Sequence, residues 1–270
     1  MKISVIIPTY NRFEVLKRAL ASVFAQTHQA EEIIVVDDGS DDKTSQIIKY
    51  FPNITYIYQK NFGVSSARNA GIRSAKYEWV AFLDSDDEWH EDKLKEQANL
   101  HRDQRDLLIS YTDEKWIRDA KEVKVAKKYA KVGGNLFKAS LSHCIIAPSS
   151  ALMHRSLFDS VGYFDETLEV CEDYDLWLRV SQEYKIGLVD KKLITKYGGS
   201  ADQLSTKFWG MDRFRVQSLE KLMQEISLGE KREMIREELL KKYKLLLKGA
   251  LKHERVEGAK IYEEKIKALI

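Results

Sequence analysis

The chain has two cysteines, three prolines, no long apolar run and almost no net charge. Cys144 and Cys171 have no metal-ligand spacing and no partner motif, so they read as ordinary small hydrophobes of a cytosolic protein. Few prolines and 44% hydrophobic residues argue against disorder. No apolar stretch approaches the ~20 residues of a membrane span. Met1-Lys2 runs straight into the strand-like Ile3-Ser4-Val5-Ile6-Ile7, so no signal peptide is expected. These features predict a cytoplasmic protein, soluble or at most peripheral. With 44 Lys/Arg against 42 Asp/Glu there is no electrostatic demand for nucleic acid, and an acidic substrate would need a local site. A Walker A loop and a Gly-x-Gly-x-x-Gly fingerprint are both missing. The length of 270 residues suits one large domain with an appendage.

Against those absences stand two acidic clusters, each placed after a short apolar run. Ile33-Ile34-Val35-Val36 leads into Asp37-Asp38-Gly39-Ser40, and Trp79-Val80-Ala81-Phe82-Leu83 into Asp84-Ser85-Asp86-Asp87. Runs rich in β-branched and aromatic residues read as buried parallel strands. Carboxylates gathered at a strand exit repel one another and resist desolvation, so a cation or hydrogen-bond donors must offset the cost. Ligands of open α/β sheets sit at the carboxyl ends of strands. A metal site beside a polar-ligand site is predicted there.

Strand and helix alternate from residue 3 to about residue 111. Strands are expected at Ile3–Ile7, Ile33–Val36, Ile54–Tyr58, up to Leu83, and at Leu107–Tyr111. Helices are expected at Asn11–Thr27, from near Asp41, at Val64–Ala75 and at Glu91–Arg102. This alternation predicts a parallel sheet covered on both faces. Residues 112–142 read as a lysine-rich hairpin or loop, then a short helix near Asn135–Leu141. Beyond them come a strand at Pro148–Met153, a helix at Glu172–Glu183 and strands at Ile186–Val189 and Leu193–Tyr197. From Ser205 the pattern changes to long amphipathic helices. Ile235, Leu239, Tyr243, Leu246 and Ala250 share one face, and Ala259, Tyr262, Ile266 and Leu269 share another beyond Gly258.

Each motif admits a structural and a chemical reading. Pro8-Thr9-Tyr10-Asn11-Arg12 follows the first strand; Asn11 either caps the next helix or the turn meets a nucleotide base or ribose. Asp38 suits an imide N–H, the donor that uracil and thymine present, unless Asp37–Ser40 is a plain acidic turn with Asp41 as a helix cap. The alternating Asp84, Asp86 and Asp87 can turn two carboxylates toward Mg²⁺ or Mn²⁺, or form a solvated loop. Without a phosphate loop, a metal must neutralise any bound nucleotide diphosphate and help it depart. Gly63 through Gly71 opens a helix with Arg68 one turn in, a contact for base or diphosphate or a plain surface arginine. Glu172-Asp173-Tyr174-Asp175 opens another helix, where the dipole explains one or two acids. A carboxylate facing the metal site could take a proton from an attacking hydroxyl. Trp177 is either a sugar-stacking wall or core.

The set Pro8–Arg12, Val36-Asp37-Asp38-Gly39-Ser40, Gly63 to Asn69, Asp84-Ser85-Asp86-Asp87 and Glu172-Asp173 resembles glycosyltransferase family 2, over roughly residues 1–205. The resemblance implies an α/β GT-A fold, a Rossmann-like mixed and mostly parallel sheet flanked by helices. It also implies a nucleotide-diphosphate sugar donor, Mn²⁺ or Mg²⁺, and hexosyl transfer by single displacement with inversion. By position, Pro8, Thr9, Tyr10, Arg12, Asp38, Arg68, Asp84 and Ser85 match nucleotide contacts. Asp84 and Asp86 match the strand-end metal motif, with Asp86 the direct ligand. Asp173 matches the catalytic base, and Glu172 matches a support for the acceptor or for the helix start. Residues 1–111 become a nucleotide-binding half, 112–205 an acceptor-binding half and 206–270 a C-terminal helical extension. Some relatives place a metal- or diphosphate-holding histidine after the last core strand, but Tyr197–Ser205 contains none. Its glycines suggest a loop closing over the donor, with Asp202 or Gln203 in contact. The processive-synthase motif Gln-x-x-Arg-Trp is also missing, which favours transfer of one sugar over polymer synthesis with export.

The resemblance implies a role in surface polysaccharide, glycolipid or glycoprotein synthesis, with a saccharide, lipid-linked or protein acceptor. A non-catalytic nucleotide-sugar-binding partner subunit is the alternative. A nucleotidyltransferase is disfavoured because Pro8–Arg12 is no glycine-rich phosphate segment, and a glycosidase because a diphosphate leaving group needs no protonating acid. Twelve Lys/Arg against eight Asp/Glu from Gly229 to Ile270 leave two readings of the extension: packing on the core or a homodimer, or peripheral contact with an anionic membrane at its inner face.

Overall fold

The computed structural model describes residues 1–123, 130–199, 208 and 210–270. Its centre is a nine-stranded sheet in the order β3-β2-β1-β4-β8-β6-β9-β5, with β7 pairing β6. The strands are β1 (Ile3–Thr9), β2 (Glu32–Asp37), β3 (Thr55–Tyr58), β4 (Trp79–Phe82), β5 (Glu88–Trp89), β6 (Ile109–Arg118), β7 (Lys121–Glu122), β8 (Leu152–His154) and β9 (Gly187–Gly198). β1 to β4 pair in parallel, β8 is antiparallel to both β4 and β6, and β9 runs parallel to β6. The sheet is therefore mixed but mostly parallel, as the alternation of elements required.

Both faces of the first strand are buried, which explains its unbroken apolar text. Ile3, Val5 and Ile7 pack with Leu16, Leu20 and Val23 of α1 (Phe13–Phe24) on one side. Ile6 faces the other way, toward Ala67 and Ile72 of α2 (Val64–Ser74). Gly71 permits that approach, since a Cβ there would lie 2.4 Å from Ile6 Cγ2. α3 (Lys93–Asp103) joins the α1 side through Leu94.

Several expected boundaries moved for local reasons. The helix expected near Asp41 is a 3-10 helix, Thr44–Lys49, whose entry is set by Thr44 N–H donating to Asp42 Oδ1. Pro148–Ser150 is a 3-10 turn rather than strand, because proline has no ladder N–H and the Ser150 and Ala151 amides turn back onto Ala147 and Pro148. The two strands expected at 186–197 are one, and the polar Asp190-Lys191-Lys192 step is absorbed as a register shift against β6.

α4 (Phe137–Ser140), α5 (Ser156–Val161) and α6 (Glu172–Glu183) cover the second half. α6 is buried on two sides: Leu176, Trp177 and Val180 face the sheet, while Tyr174 and Leu178 meet the C-terminal helices. Those helices are α7 (Asp212–Glu225), α8 (Glu230–Lys252) and α9 (Val256–Leu269). Their Leu219, Leu222, Ile235, Leu239 and Tyr243 share a core with Phe137, Leu141 and Val170. The boundary expected at 205/206 falls at residues outside those described.

Candidate functional site

β1, β2 and β4 end at one edge of the sheet, and a cleft of about 740 Å³ opens there. Pro8, Thr9, Tyr10, Arg12, Asp38, Arg68, Asp84, Ser85, Asp86, Glu172 and Asp173 all line it. Residues more than 160 positions apart in sequence thus meet in one cavity.

At the strand end, hydrogen bonds lace the two loops together. Asp37 accepts from Ser40 N and from the Tyr56 hydroxyl. Asp38 Oδ1 accepts from Gln59 Nε2 at 2.7 Å and Phe62 N at 3.0 Å, and Oδ2 from Gly63 N at 2.8 Å. A carboxylate has about four acceptor positions, so Asp38 keeps roughly one for a ligand. Gly39, at φ +87° and against Asn61, is a position where a Cβ would meet backbone at 2.7 Å. Asn11 does not cap α1: its Oδ1 accepts from Asp41 N and Asp42 N, and its backbone is left-handed at φ 51°. Thr9 Oγ1 is buried with no partner among the described residues, an unmet donor and acceptor on the cleft wall.

In the middle, Arg68 is 3% exposed and spans two elements. Its Nη2 donates to Asp84 Oδ1 at 2.7 Å and its Nη1 to Glu172 Oε1 at 2.6 Å. Burial works against the guanidinium charge, but the two carboxylates outweigh it and raise its pKa. Burial would lift the Asp84 carboxyl too, yet Arg68, Lys196 and Arg12 hold it below its ordinary value. Glu172 stays raised, because burial dominates over Arg68. Arg12 Nη1 lies 3.2 Å from Asp86 Oδ1. Ser149 braces the acidic loop by accepting from Asp84 N and donating to Asp87 Oδ2. Burial pushes the Asp87 carboxyl up to about 7 despite Lys196, whose Nζ lies 3.2 Å away.

At the helix end, Cys171 precedes α6 in a left-handed conformation, φ 67°, a strained setting for a side chain with a Cβ. Asp173 Oδ1 accepts from Tyr174 N, and its Oδ2 from Cys144 Sγ at 3.3 Å. Burial and the Asp173 charge raise the Cys144 pKa well above the ordinary thiol value, so the thiol is a donor.

Trp177 requires correction. It is 1% exposed, packs in the main core and does not line the cleft. Among the described residues, the tryptophan on the cleft wall is Trp116 of β6, whose Nε1 donates to Glu114. Glu114 and Trp116 share a strand face, but nothing in residues 112–142 marked them beforehand. Lys196 on β9 and Met211 and Arg215 at α7 also line the cleft and had no motif to announce them. Asp202 and Gln203 lie outside the described residues.

The donor set suits a hard divalent cation. Among the described residues, seven carboxylates and five Lys/Arg line the cleft, leaving an acidic surplus. Asp84 and Asp86 offer carboxylate oxygens to the cleft, and Mg²⁺-type ions are commonly held by one or two carboxylates completed by substrate phosphates. No group of three His, Cys, Asp or Glu side chains forms a cage among the described residues. Two carboxylates fit the ion only as a partial site that a diphosphate would complete.

A profile described as Glycosyl transferase family 2 matches residues 4–162. An uncharacterized glycosyltransferase of Rickettsia typhi is 37% identical over 193 residues, covering 67% of this chain and 60% of the relative. The chain spans between 28% and 60% of the lengths of the Rickettsia relatives it matches. The Escherichia coli UDP-Glc:alpha-D-GlcNAc-diphosphoundecaprenol beta-1,3-glucosyltransferase WfaP is 31% identical, covering 66% of this chain and 69% of that protein. The crystal structure of S. aureus TarS 1-349 in complex with UDP-GlcNAc superposes with a TM-score of 0.73 at 22% identity, covering 89% of this chain and 71% of that one. Domain match, identity and sheet architecture agree: the chain belongs to glycosyltransferase family 2 and has its GT-A fold.

Proposed function

We propose that the protein is an inverting hexosyltransferase that moves one sugar from a UDP- or dTDP-sugar to an acceptor hydroxyl. The observation that carries this is Arg68, which joins the strand-end acid Asp84 to Glu172 at the start of α6, the residue before Asp173. One buried cation thereby holds the nucleotide side against the helix that bears the candidate base. The UDP-sugar named for the E. coli relative and the UDP-GlcNAc of the TarS complex support the donor class.

Thr9 and Asp38 receive the base and ribose, Asp38 through its remaining acceptor position. Arg12, Arg68 and Lys196 face the diphosphate. Asp84 and Asp86 would hold Mn²⁺ or Mg²⁺, whose charge would assist departure of the nucleoside diphosphate. Asp173 takes the proton from the acceptor hydroxyl as its oxygen bonds to the anomeric carbon. The bond to the diphosphate breaks on the opposite side, which inverts the configuration. Trp116, rather than Trp177, offers the acceptor an aromatic face. The acceptor is saccharide, lipid-linked or protein, in a surface polysaccharide, glycolipid or glycoprotein.

A thermal-shift screen of nucleotide sugars with and without Mn²⁺ tests the donor side. A stabilisation requiring both ligand and metal, lost in Asp84→Ala/Asp86→Ala, is expected. UDP and Mn²⁺ affinity left intact in that folded variant would end this reading.

A further inference from the structure

The outward face of α8 carries Lys241, Lys244, Leu245, Lys248, Leu251 and Lys252, all exposed and at the three- and four-residue spacing that makes one stripe. The opposite face is committed to the core through Ile235, Leu239 and Tyr243. Leu245 and Leu251 are 59% and 60% exposed. Residues 240–260 hold seven Lys/Arg against two Glu, in a chain whose formal net charge is +2. Lys241 lies 3.6 Å from Glu238, while Lys244, Lys248 and Lys252 have no carboxylate partner among the described residues. Packing among the described residues explains neither the leucines nor the one-signed charge.

We propose that this stripe docks on an anionic phospholipid bilayer, its lysines among the headgroups and its two leucines at the headgroup–acyl boundary. Charge decides between a membrane and a second copy of the chain. A two-fold interface would set the stripe against itself, lysine facing lysine, whereas an anionic surface complements every one of them. The other face of α8 reaches toward the cleft. Lys242 Nζ donates to Ser142 O at 2.8 Å and to Asp212 Oδ1 at 2.9 Å. Ser142 is two residues from Cys144, and Asp212 pairs with Arg215; Cys144 and Arg215 both line the helix end of the cleft. α8 therefore stands between the stripe and the helix end of the cleft, where, in the transfer reading, the acceptor enters. The docking itself does not depend on that reading.

The test is cosedimentation of the full chain with vesicles of phosphatidylcholine alone or mixed with phosphatidylglycerol, at low and high salt. Binding confined to the phosphatidylglycerol vesicles and weakened by salt is expected. Lys244→Gln/Lys248→Gln/Lys252→Gln should weaken partition by on the order of a hundredfold, and Leu245→Ser/Leu251→Ser by about tenfold. Unfolding transitions should stay as in the unaltered chain, because all five side chains face solvent. Failure to bind phosphatidylglycerol vesicles at low salt, equal binding to neutral vesicles, or undiminished binding by the lysine variant would each overturn the proposal. So would a concentration-dependent dimer, in sedimentation velocity without vesicles, that the leucine pair abolishes. No nucleotide enters the assay, so its failure and that of the transfer reading are separable.

Discussion

At one end of the cleft the polar groups sit on the exits of three neighbouring parallel strands. At the other they come from β6, β9, the Cys144 segment, α6 and α7, which are distant in sequence. The strand end is held largely by hydrogen bonds from backbone amides, onto the carboxylates of Asp37 and Asp38 and the side-chain oxygen of Asn11. The helix end relies on side-chain pairs: Cys144 with Asp173, Lys131 with Glu114, and Arg215 with Asp212. Backbone-anchored carboxylates have a fixed place and suit a charged ligand of constant shape. A side-chain-built wall can be altered without disturbing the sheet, which suits the variable partner of a transfer reaction.

The sharpest way to separate the two ends is Asp173→Asn. Transfer should fall by about 10²–10⁴-fold in initial-rate assays, with nucleotide affinity by calorimetry unchanged. Full activity in that variant would remove the base from the helix end. Arg68→Ala tests the bridge. It leaves Glu172 buried without its cation and should cost about 3–5 kcal/mol in denaturant unfolding. A loss below about 1 kcal/mol would mean that the two ends are not joined through this guanidinium. Lys196→Gln should weaken UDP binding by roughly tenfold while leaving uridine binding alone, because only the diphosphate meets the ammonium. Equal losses for both ligands would put Lys196 in a structural role.

The smallest expected effect concerns α3, on the α1 side of the sheet. Lys93 is fully buried beside Trp89, its Nζ donates to Gln97, and burial lowers its pKa well below the ordinary value. Between that lowered value and the ordinary lysine range, the unfolded chain binds a proton that the folded chain lacks. Stability from this group is therefore complete above about pH 10.4 and falls as pH drops toward the folded value. The slope is at most about 1.4 kcal/mol per pH unit. Urea unfolding across alkaline pH should show it in the unaltered chain and lose it in Lys93→Met.

Much of the strand end was legible from text, because Asp37-Asp38 and Asp84–Asp87 follow runs that only a doubly covered strand explains. Their convergence then followed from strand topology. Trp177 misled for a physical reason. A tryptophan one turn into an amphipathic helix can face sheet or solvent, and the sequence of α6 is apolar on two sides because that helix lies between sheet and C-terminal bundle. Trp116 was hidden in a lysine-rich stretch whose strand, β6, extends seven residues beyond its expected end at Tyr111.

Local chemistry alone determined the alternation of elements, the acidic exits of β2 and β4 and the cation one turn into α2, since each depends on neighbours in the chain. Only the tertiary structure decided that Arg68 joins Asp84 to Glu172, that Cys144 donates to Asp173 and that Lys196 and Arg215 face the cleft. Such contacts are fixed by how helices dock on the sheet, and docking depends on packing between faces far apart in sequence.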